Sequence, residues 1–367
     1  MTDQAWIIGQ SKWNLDTPSL IVDLPTYERN LRRIAGTLRE AGVGWRPHTK
    51  GQKIPALAHK ALALGAIGVT CAKLGEAEVM AAAGIRDVLI ANQIVGDQKI
   101  ARLVNLLPHA DVAVAVDSLA NVDALDRAAR TKGVRLRVVV EVNVGMDRAG
   151  VEPGEPTVAF AREVARQPGL RLAGLMAWEG HAVKIADPAE KRRAVEQAVG
   201  LLTGSAALCR EAGLPIEIVS CGGTGSYEIT SRLPGVTEIQ AGGGAFGDLY
   251  YREHMHIDHE LALTVLATVT SRPTPTRIVC DAGRKTMSSD AAIPRPLIAG
   301  SVKAVALSAE HGRIELAEPD TALKVGDKIE FVVGYSDTTV CLHDELYGVR
   351  DGRVEVVWPI LGRGKLR

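Results

Sequence analysis

The 367-residue sequence lacks a charge imbalance: lysine plus arginine and aspartate plus glutamate both number 43, so the formal net charge is zero. Without a basic stripe there is no electrostatic footprint for nucleic acid, and without an acidic tail nothing reads as a disordered, solvating segment. No apolar run approaches the roughly 18 residues that a bilayer span needs. Met1 to Leu15 also lacks the charged start and apolar core of a secretory leader. A cytoplasmic protein with neither a nucleic-acid nor a membrane partner is expected. Five cysteines (Cys71, Cys209, Cys221, Cys280 and Cys341) are scattered and odd in number, which argues for thiols rather than a disulfide frame. There is no low-complexity tract, and no internal repeat beyond the rhythm described next.

What is present is a regular alternation. Short β-branched runs at Trp45–Lys50, Ile67–Ala72, Asp87–Asn92, Val112–Ser118, Leu136–Asn143, Leu172–Gly180, Ile216–Gly223 and Glu238–Gly244 read as strands. Alanine- and leucine-rich segments with helical spacing lie between them, among them Leu74–Ala83, Leu119–Lys132, Thr157–Gln167 and Ala189–Ala212. Eight strand–helix units predict an α/β fold of the TIM-like (β/α)8 barrel type, spanning residues 25–255, because an open doubly wound sheet normally stops nearer six strands. Beyond residue 255 the helical spacing disappears. Leu261–Ser271, Arg277–Ala282, Arg313–Leu316, Lys328–Val333, Thr338–His343 and Arg353–Trp358 read as strands of a C-terminal all-β domain over 256–367. Residues 1–24 are expected to contribute to it through a strand at Ser19–Leu24.

Barrels of this kind build their sites at the carboxyl ends of the strands. The first strand ends in Arg46-Pro47-His48-Thr49-Lys50. On strand alternation, Arg46, His48 and Lys50 share one face, and a lysine aimed inward shifts its pKa or forms a Schiff base with a carbonyl. Taken alone, the segment reads more readily as a solvated loop lysine, and the rest of the chain reverses that weighting. Strand five ends in Glu141-Val142-Asn143-Val144-Gly145-Met146-Asp147-Arg148, strand six in Trp178-Glu179-Gly180-His181, strand seven in Cys221-Gly222-Gly223-Thr224-Gly225-Ser226 and strand eight in Gly242-Gly243-Gly244. Glycines let bare amides approach an anion, and Thr224 and Ser226 add hydroxyls, so the last two turns together suit one phosphate. A phosphate site opposite a Schiff-base lysine describes pyridoxal 5'-phosphate, which is both an aldehyde and a phosphate ester.

At these residues the chain resembles the alanine-racemase-like pyridoxal-phosphate barrels of fold type III, and within them the D-threonine aldolase and D-serine dehydratase family. The likeness runs from Thr17-Pro18-Ser19-Leu20 to Val357-Trp358-Pro359. It rests on Arg46-Pro47-His48-Thr49-Lys50, Gly145-Met146-Asp147-Arg148-Ala149-Gly150, Gly222-Gly223-Thr224-Gly225-Ser226 and Asp281-Ala282-Gly283. The resemblance implies that Lys50 carries the cofactor as a Schiff base and that Arg148 lies near its 3-oxygen. It further implies that His48, Trp178, Gly223, Thr224, Gly225, Gly242, Gly243 and Gly244 line the cofactor site, and that the chain acts as a homodimer.

The pattern is broken in two places. Family members commonly carry a His-Cys-Asp-like triplet in the β domain whose first and third residues ligate a divalent metal, and the stretch here reads Tyr335-Ser336-Asp337. Asp337 alone is a poor site for Mn²⁺ or Mg²⁺, although strand alternation would put Tyr335, Asp337, Cys341 and His343 on one face. Relatives also place a histidine four residues beyond the strand-six glycine, where Lys184 stands; His181 follows Gly180 instead and is a candidate base, with a helix-capping or solvent-facing role as its alternative. The expected activity is reversible cleavage of β-hydroxy-D-amino acids to glycine and an aldehyde, with Lys50, Arg148 and His181 in the catalytic group. Dehydration, racemisation and a non-catalytic pyridoxal-phosphate carrier are the alternatives.

Overall fold

The computed structural model describes residues 5–367. β1 (Ser19–Asp23) and α1 (Leu24–Glu40) precede an alternation of β2 (Gly44–Trp45), α2 (Pro55–Ala63), β3 (Val69–Cys71), α3 (Leu74–Ala82), β4 (Asp87–Gln93), α4 (Asp97–Leu106), β5 (Asp111–Val116), α5 (Leu119–Lys132), β6 (Leu136–Glu141), α6 (Glu155–Ala165), β7 (Leu170–Met176), α7 (Pro188–Glu211), β8 (Ile218–Cys221), α8 (Tyr227–Thr230) and β9 (Glu238–Ile239). The eight strands expected for the barrel are β2 to β9. Local chemistry sets several boundaries. Asp187 caps α7 by accepting the Glu190 amide, with Pro188 in the first turn. Gly133, at φ +70°, ends α5 by donating to Ala129 and Arg130, as the expected end at Lys132 requires.

The chain divides into two compact units. One contains Arg33–Lys50, Pro55–Gly242 and Gly364–Arg367; the other contains the residues up to Arg32, Gly51–Ile54 and Gly243–Arg363. In the larger unit the strand order is β2-β9-β8-β7-β6-β5-β4-β3, parallel throughout. The sheet curls until its ends meet, where the Ile67 amide donates to Trp45 O at 2.8 Å and the Thr70 amide to Pro47 O at 2.9 Å. Outward-facing valines and leucines of the strands pack under the helices, and a narrower inner cluster of Leu89, Ala113, Ala115, Val139, Ala173 and Met176 fills the barrel. Small residues are needed there because a barrel this narrow must be filled by side chains.

The amino end of the barrel is closed by charge. Arg46, 3% exposed, donates to both oxygens of the buried Glu238 at 3.0 and 3.1 Å and to Asp87 at 2.8 Å. Arg137 reaches the same Asp87 oxygen at 2.7 Å. Burial alone would raise the Asp87 pKa, but Arg46 and Arg137 outweigh it and hold the carboxyl below its usual value. Arg46 is thus a structural counter-ion. The expected strand Trp45–Lys50 stops at Trp45: Pro47 has no amide to give, and Thr49–Gly51 closes into a 3-10 turn.

The second unit adds β10 (Leu263–Thr274), β11 (Arg277–Cys280), β12 (Arg295–Pro296), β13 (Val302–Leu307), β14 (Gly312–Leu316), β15 (Lys328–Val332), α9 (Ser336–Thr339), β16 (Glu345–Arg350) and β17 (Arg353–Pro359). Its sheet runs β13-β14-β11-β10-β1-β16-β17, with β15 also on β10 and β12 on β15. The N-terminal strand β1 lies in this sheet, antiparallel to β10 and parallel to β16. The strand expected over Thr338–His343 is instead α9 followed by a 3-10 turn at Val340–Leu342. The β-branched Thr338, Thr339 and Val340 favour extension locally, yet the buried Asp248 carboxylate accepts the Ser336 amide at 2.8 Å and fixes the start of a helical turn.

Candidate active site

Because β2 to β9 are parallel, the residues following them share one rim of the barrel. That rim carries Lys50, Arg148, Trp178, His181, Gly223, Thr224, Gly225 and Gly242. Lys50 is exposed on its 3-10 turn, and its amide donates to His48 Nδ1 at 3.3 Å. The backbone beneath it is fixed. The His48 amide donates to Gln240 O at 3.0 Å, Trp45 Nε1 to Ala241 O at 2.8 Å and Thr49 Oγ1 to Thr70 O at 3.0 Å. Lys50 therefore reaches the rim from a braced turn and not by strand alternation.

Arg148 sits on a loop folded back on itself. Asn143 Oδ1 accepts the amides of Gly145 and Asp147, both at 3.1 Å, and the Gly150 amide donates to Asp117 at 3.0 Å. Gly150 adopts φ +109°, and a Cβ there would stand 2.6 Å from the Asn143 nitrogen, so only glycine closes this turn. The Arg148 guanidinium, 54% exposed, is 3.7 Å from Glu141. Glu141 heads the strand-five end named from the sequence but is given no role there, and its partners Gln93 and Asp117 are not singled out. Gln93 Nε2 donates to Glu141 at 2.6 Å and to Asp117 at 3.2 Å, linking the ends of β4, β5 and β6. Burial raises the Glu141 pKa, and the Gln93 hydrogen bond and Arg148 charge offset it only in part. Polar side chains ending otherwise apolar strands were the available signal.

The glycine turn after β8 is organised by a carboxylate. Glu179, buried, accepts from Ser226 Oγ at 2.7 Å, Thr230 Oγ1 at 2.8 Å and the Gly222 amide at 3.3 Å. Ser226 is thereby tied inward, while Thr224 is buried in the turn. A Cβ on Gly223 would stand 2.6 Å from the Trp178 indole, and one on Gly242 would stand 2.2 Å from His48 O. His181 is exposed, and a Cβ on Gly145 would come within 3.3 Å of its ring.

In the smaller unit, Gly243 and Gly244 are buried, and Gly244 O accepts from His259 Nδ1 at 2.7 Å. The Tyr335 hydroxyl donates to Asp337 Oδ2 at 2.9 Å. Asp337 Oδ1 lies so close to Gly51 that a Cβ there would stand 2.2 Å away. The two other donors grouped with them by strand alternation are engaged elsewhere: His343 Nε2 donates to Thr286 O at 2.9 Å and the Cys341 thiol to Thr338 O at 3.6 Å. Among the described residues no group of three or more His, Cys, Asp or Glu side chains could hold a metal ion. Tyr335 and Asp337 do not fit a divalent cation, since the phenol is neutral and spends its proton on the carboxylate. Asp248, buried, accepts the Tyr251 and Ser336 amides, and its pKa is pushed up to about 7, mainly by burial against the opposing effect of those hydrogen bonds.

Residues 22–249 match the family of the alanine racemase N-terminal domain, and residues 262–349 match the "Putative serine dehydratase domain" family. The chain is 36% identical to D-threonine aldolase of Arthrobacter sp over 359 residues, 97% of this chain and 95% of that one. It is 37% identical to 3-hydroxy-D-aspartate aldolase of Paracoccus denitrificans (strain Pd 1222) over 97% of this chain and 94% of the other. The crystal structure of D-threonine aldolase from Filomicrobium marinum superposes with a TM-score of 0.94 at 38% identity and covers 98% of each chain.

Proposed function

Since the chain belongs to the alanine-racemase-like pyridoxal-phosphate enzymes, in the D-threonine aldolase and D-serine dehydratase family, we propose that it cleaves β-hydroxy-D-amino acids to glycine and an aldehyde, reversibly. The observation that carries this reading is a lysine on a braced turn sharing a rim with two glycine turns into which no side chain fits. Those turns and the chemistry around them suit pyridoxal 5'-phosphate: an amine for its aldehyde, close-approaching glycine backbone and the buried Thr224 for its phosphate, a guanidinium for its 3-oxygen and an indole for its ring. Lys50 would hold it covalently and Arg148 would face its ring oxygen. His48 and Trp178 would flank it, and Gly223, Thr224, Gly225 and the Gly242–Gly244 turn would take its phosphate.

When bound, the cofactor supplies a sink for the electron pair left on Cα. The chain does the rest. The Glu141 carboxylate lies 3.7 Å from the Arg148 guanidinium and would help to hold that positive charge toward the cofactor's 3-oxygen. The Trp178 indole, packed on Gly223, would shield one side of the bound cofactor from water. As the Cα–Cβ bond breaks, the β-hydroxyl must lose its proton, and His181 on the rim is the acceptor that the sequence offers. Lys50 Nζ would then return a proton to Cα, which completes glycine. A cytoplasmic location and a homodimer belong to the same reading, the first supported by five cysteines outside any disulfide, four of them buried; sedimentation tests the second.

Chiral analysis of products from D- and L-threonine decides the reaction. Glycine and acetaldehyde from the D-enantiomer, with the L-enantiomer cleaved poorly, are expected. A keto acid with ammonia would replace the aldolase by a dehydratase, scrambled D-alanine would make it a racemase, and no turnover would leave a carrier.

A further inference from the structure

At the rim of the larger unit one neutral side chain is bonded to two carboxylates. Gln93 Nε2 donates to Glu141 at 2.6 Å and to Asp117 at 3.2 Å, so both protons of a single amide nitrogen are spent on acids at the ends of two other strands. Its own strand is distorted to bring it there. β4 and β5 stay in register as far as Ile90, and a bulge then separates Ile90 from Gln93, the next paired residue. Such a bulge re-aims a side chain beside a site. The backbone behind it is pinned: the Gln93 amide donates to Asn92 Oδ1 at 3.0 Å, and Asn92 Nδ2 donates to Ala72 O at 3.0 Å.

Each carboxylate holds one part of the loop that carries Arg148. The loop is closed at its base, where the Val151 amide donates to Glu141 O at 2.9 Å and the Asn143 amide to Val151 O at 2.8 Å. Between those anchors Gly145, Asp147 and Gly150 all have positive φ, at +107°, +54° and +109°, and glycines do not hold a backbone by themselves. Asp117 fixes the far end by accepting the Gly150 amide at 3.0 Å. Glu141 acts on the head: it is buried, and its carboxylate stands 3.7 Å from the exposed Arg148 guanidinium, which it steers by charge. Two carboxylates sharing one nitrogen repel each other. Burial also opposes the charge on Glu141, whose pKa is raised in spite of Gln93 and Arg148. A neutral double donor between the acids relieves that cost without cancelling either charge. A lysine or arginine in its place would compete with Arg148 for Glu141, and an apolar side chain would leave both acids without the donor.

We propose that Gln93 is the positioning residue for Arg148: by tying Glu141 to Asp117 it sets both the head and the far end of the 143–150 loop, so that the guanidinium is directed before a cofactor arrives. The proposal rests on the reading of this rim as a pyridoxal-phosphate site and deepens it. Gln93 touches neither cofactor nor substrate in this role. Its effect passes through Arg148 alone, which separates it from a role in folding.

The test is a double-mutant cycle in the full-length chain. It is read by absorbance titration of the cofactor-free protein with pyridoxal 5'-phosphate and by the visible spectrum of the loaded protein, with thermal melting to give the folded fraction. Gln93→Met keeps the length of the side chain and removes both donors. It should weaken cofactor affinity about 10–100-fold, the loss seen when a group that orients a metal ligand is removed, and shift the cofactor band in the same direction as Arg148→Ala. In the Arg148→Ala background the same substitution should change neither affinity nor spectrum further. Additive losses in the double variant overturn the proposal, as does wild-type affinity and spectrum in a folded Gln93→Met protein. If Gln93→Met does not fold, Gln93→Asn, which keeps the amide but draws it back along the chain, is read the same way. A wild type that takes up no pyridoxal phosphate sinks the reading of the site and this proposal with it, whereas uptake with additive losses sinks the proposal alone.

Discussion

Gly242→Ala should uncouple the cofactor lysine from the barrel without unfolding it. The added Cβ would stand 2.2 Å from His48 O and 2.7 Å from His48 N, both backbone atoms that no side-chain rotation can move, whereas ordinary contact begins at 3.4 Å. The gap must open by about 1 Å, and His48 is the residue whose Nδ1 accepts the Lys50 amide. Part of that displacement is passed to Lys50, and a misplacement of about 1 Å costs on the order of 10²-fold in rate. Overpacking adds roughly 1–3 kcal/mol of destabilisation, or about 2–4 °C in Tm per kcal/mol for a barrel of this size. The assay is a pair of measurements on one preparation: thermal melting of the cofactor-free protein, and kcat for D-threonine cleavage after cofactor titration. A fall in kcat far larger than the fraction unfolded supports the reasoning. Wild-type kcat and cofactor affinity in a folded Gly242→Ala protein would refute it, because the strand end would then have yielded without moving Lys50.

Borohydride reduction of the holoenzyme should tether the cofactor to the peptide containing Lys50; peptide mapping that finds it on Lys53 or Lys73 removes Lys50 from its role. Arg148→Ala should weaken cofactor affinity and kcat while leaving Tm within about 1 °C, since an exposed loop guanidinium has little to do with the core; a collapse in Tm with normal activity per folded molecule would make it structural. Arg46→Met leaves the buried Glu238 without its counter-ion and should cost about 3–5 kcal/mol, most of it recovered in Arg46→Met/Glu238→Gln, with urea unfolding as the measurement. Asp248, with its pKa near 7 in the folded chain against an ordinary 3.8, holds a proton that the unfolded chain releases. Stability should therefore decline from about pH 4 to pH 7 and level off above, by at most roughly 4 kcal/mol at about 1.4 kcal/mol per pH unit. Relative to wild type, Asp248→Asn should gain in Tm between pH 5 and pH 8, and a pH-independent difference would show that Asp248 does not titrate there.

The candidate site was legible where a residue's chemistry is needed for itself. Lys50, Arg148, Trp178 and the glycines of the two turns stand at strand ends that the hydrophobic rhythm already marks, and a positive φ or a forbidden Cβ demands glycine whatever surrounds it. Residues that act through partners were not legible. Glu141, Gln93 and Asp117 come from three different strands, and nothing in the local sequence of any one announces that it will meet the others. Tyr335 read only as the loss of a ligand until Tyr251, Asp248 and Asp337 stood around it. The strand expected at Thr338–His343 failed for the same reason: propensity is local, and the Asp248 carboxylate that imposes the turn is 88 residues away from Ser336.

By itself the sequence determined the eight-fold alternation, the change to an all-β rhythm after it and the positions of the glycine turns, because periodicity and backbone sterics are short-range properties written residue by residue. Only the tertiary structure decided that Arg46 is a counter-ion inside the barrel, that Glu179 ties down the turn after β8, and that a phenol and a carboxylate stand beside Gly51. Each of these depends on charges and hydroxyls brought together from distant segments and deprived of water, and burial makes the identity of the neighbour decide what a polar group does.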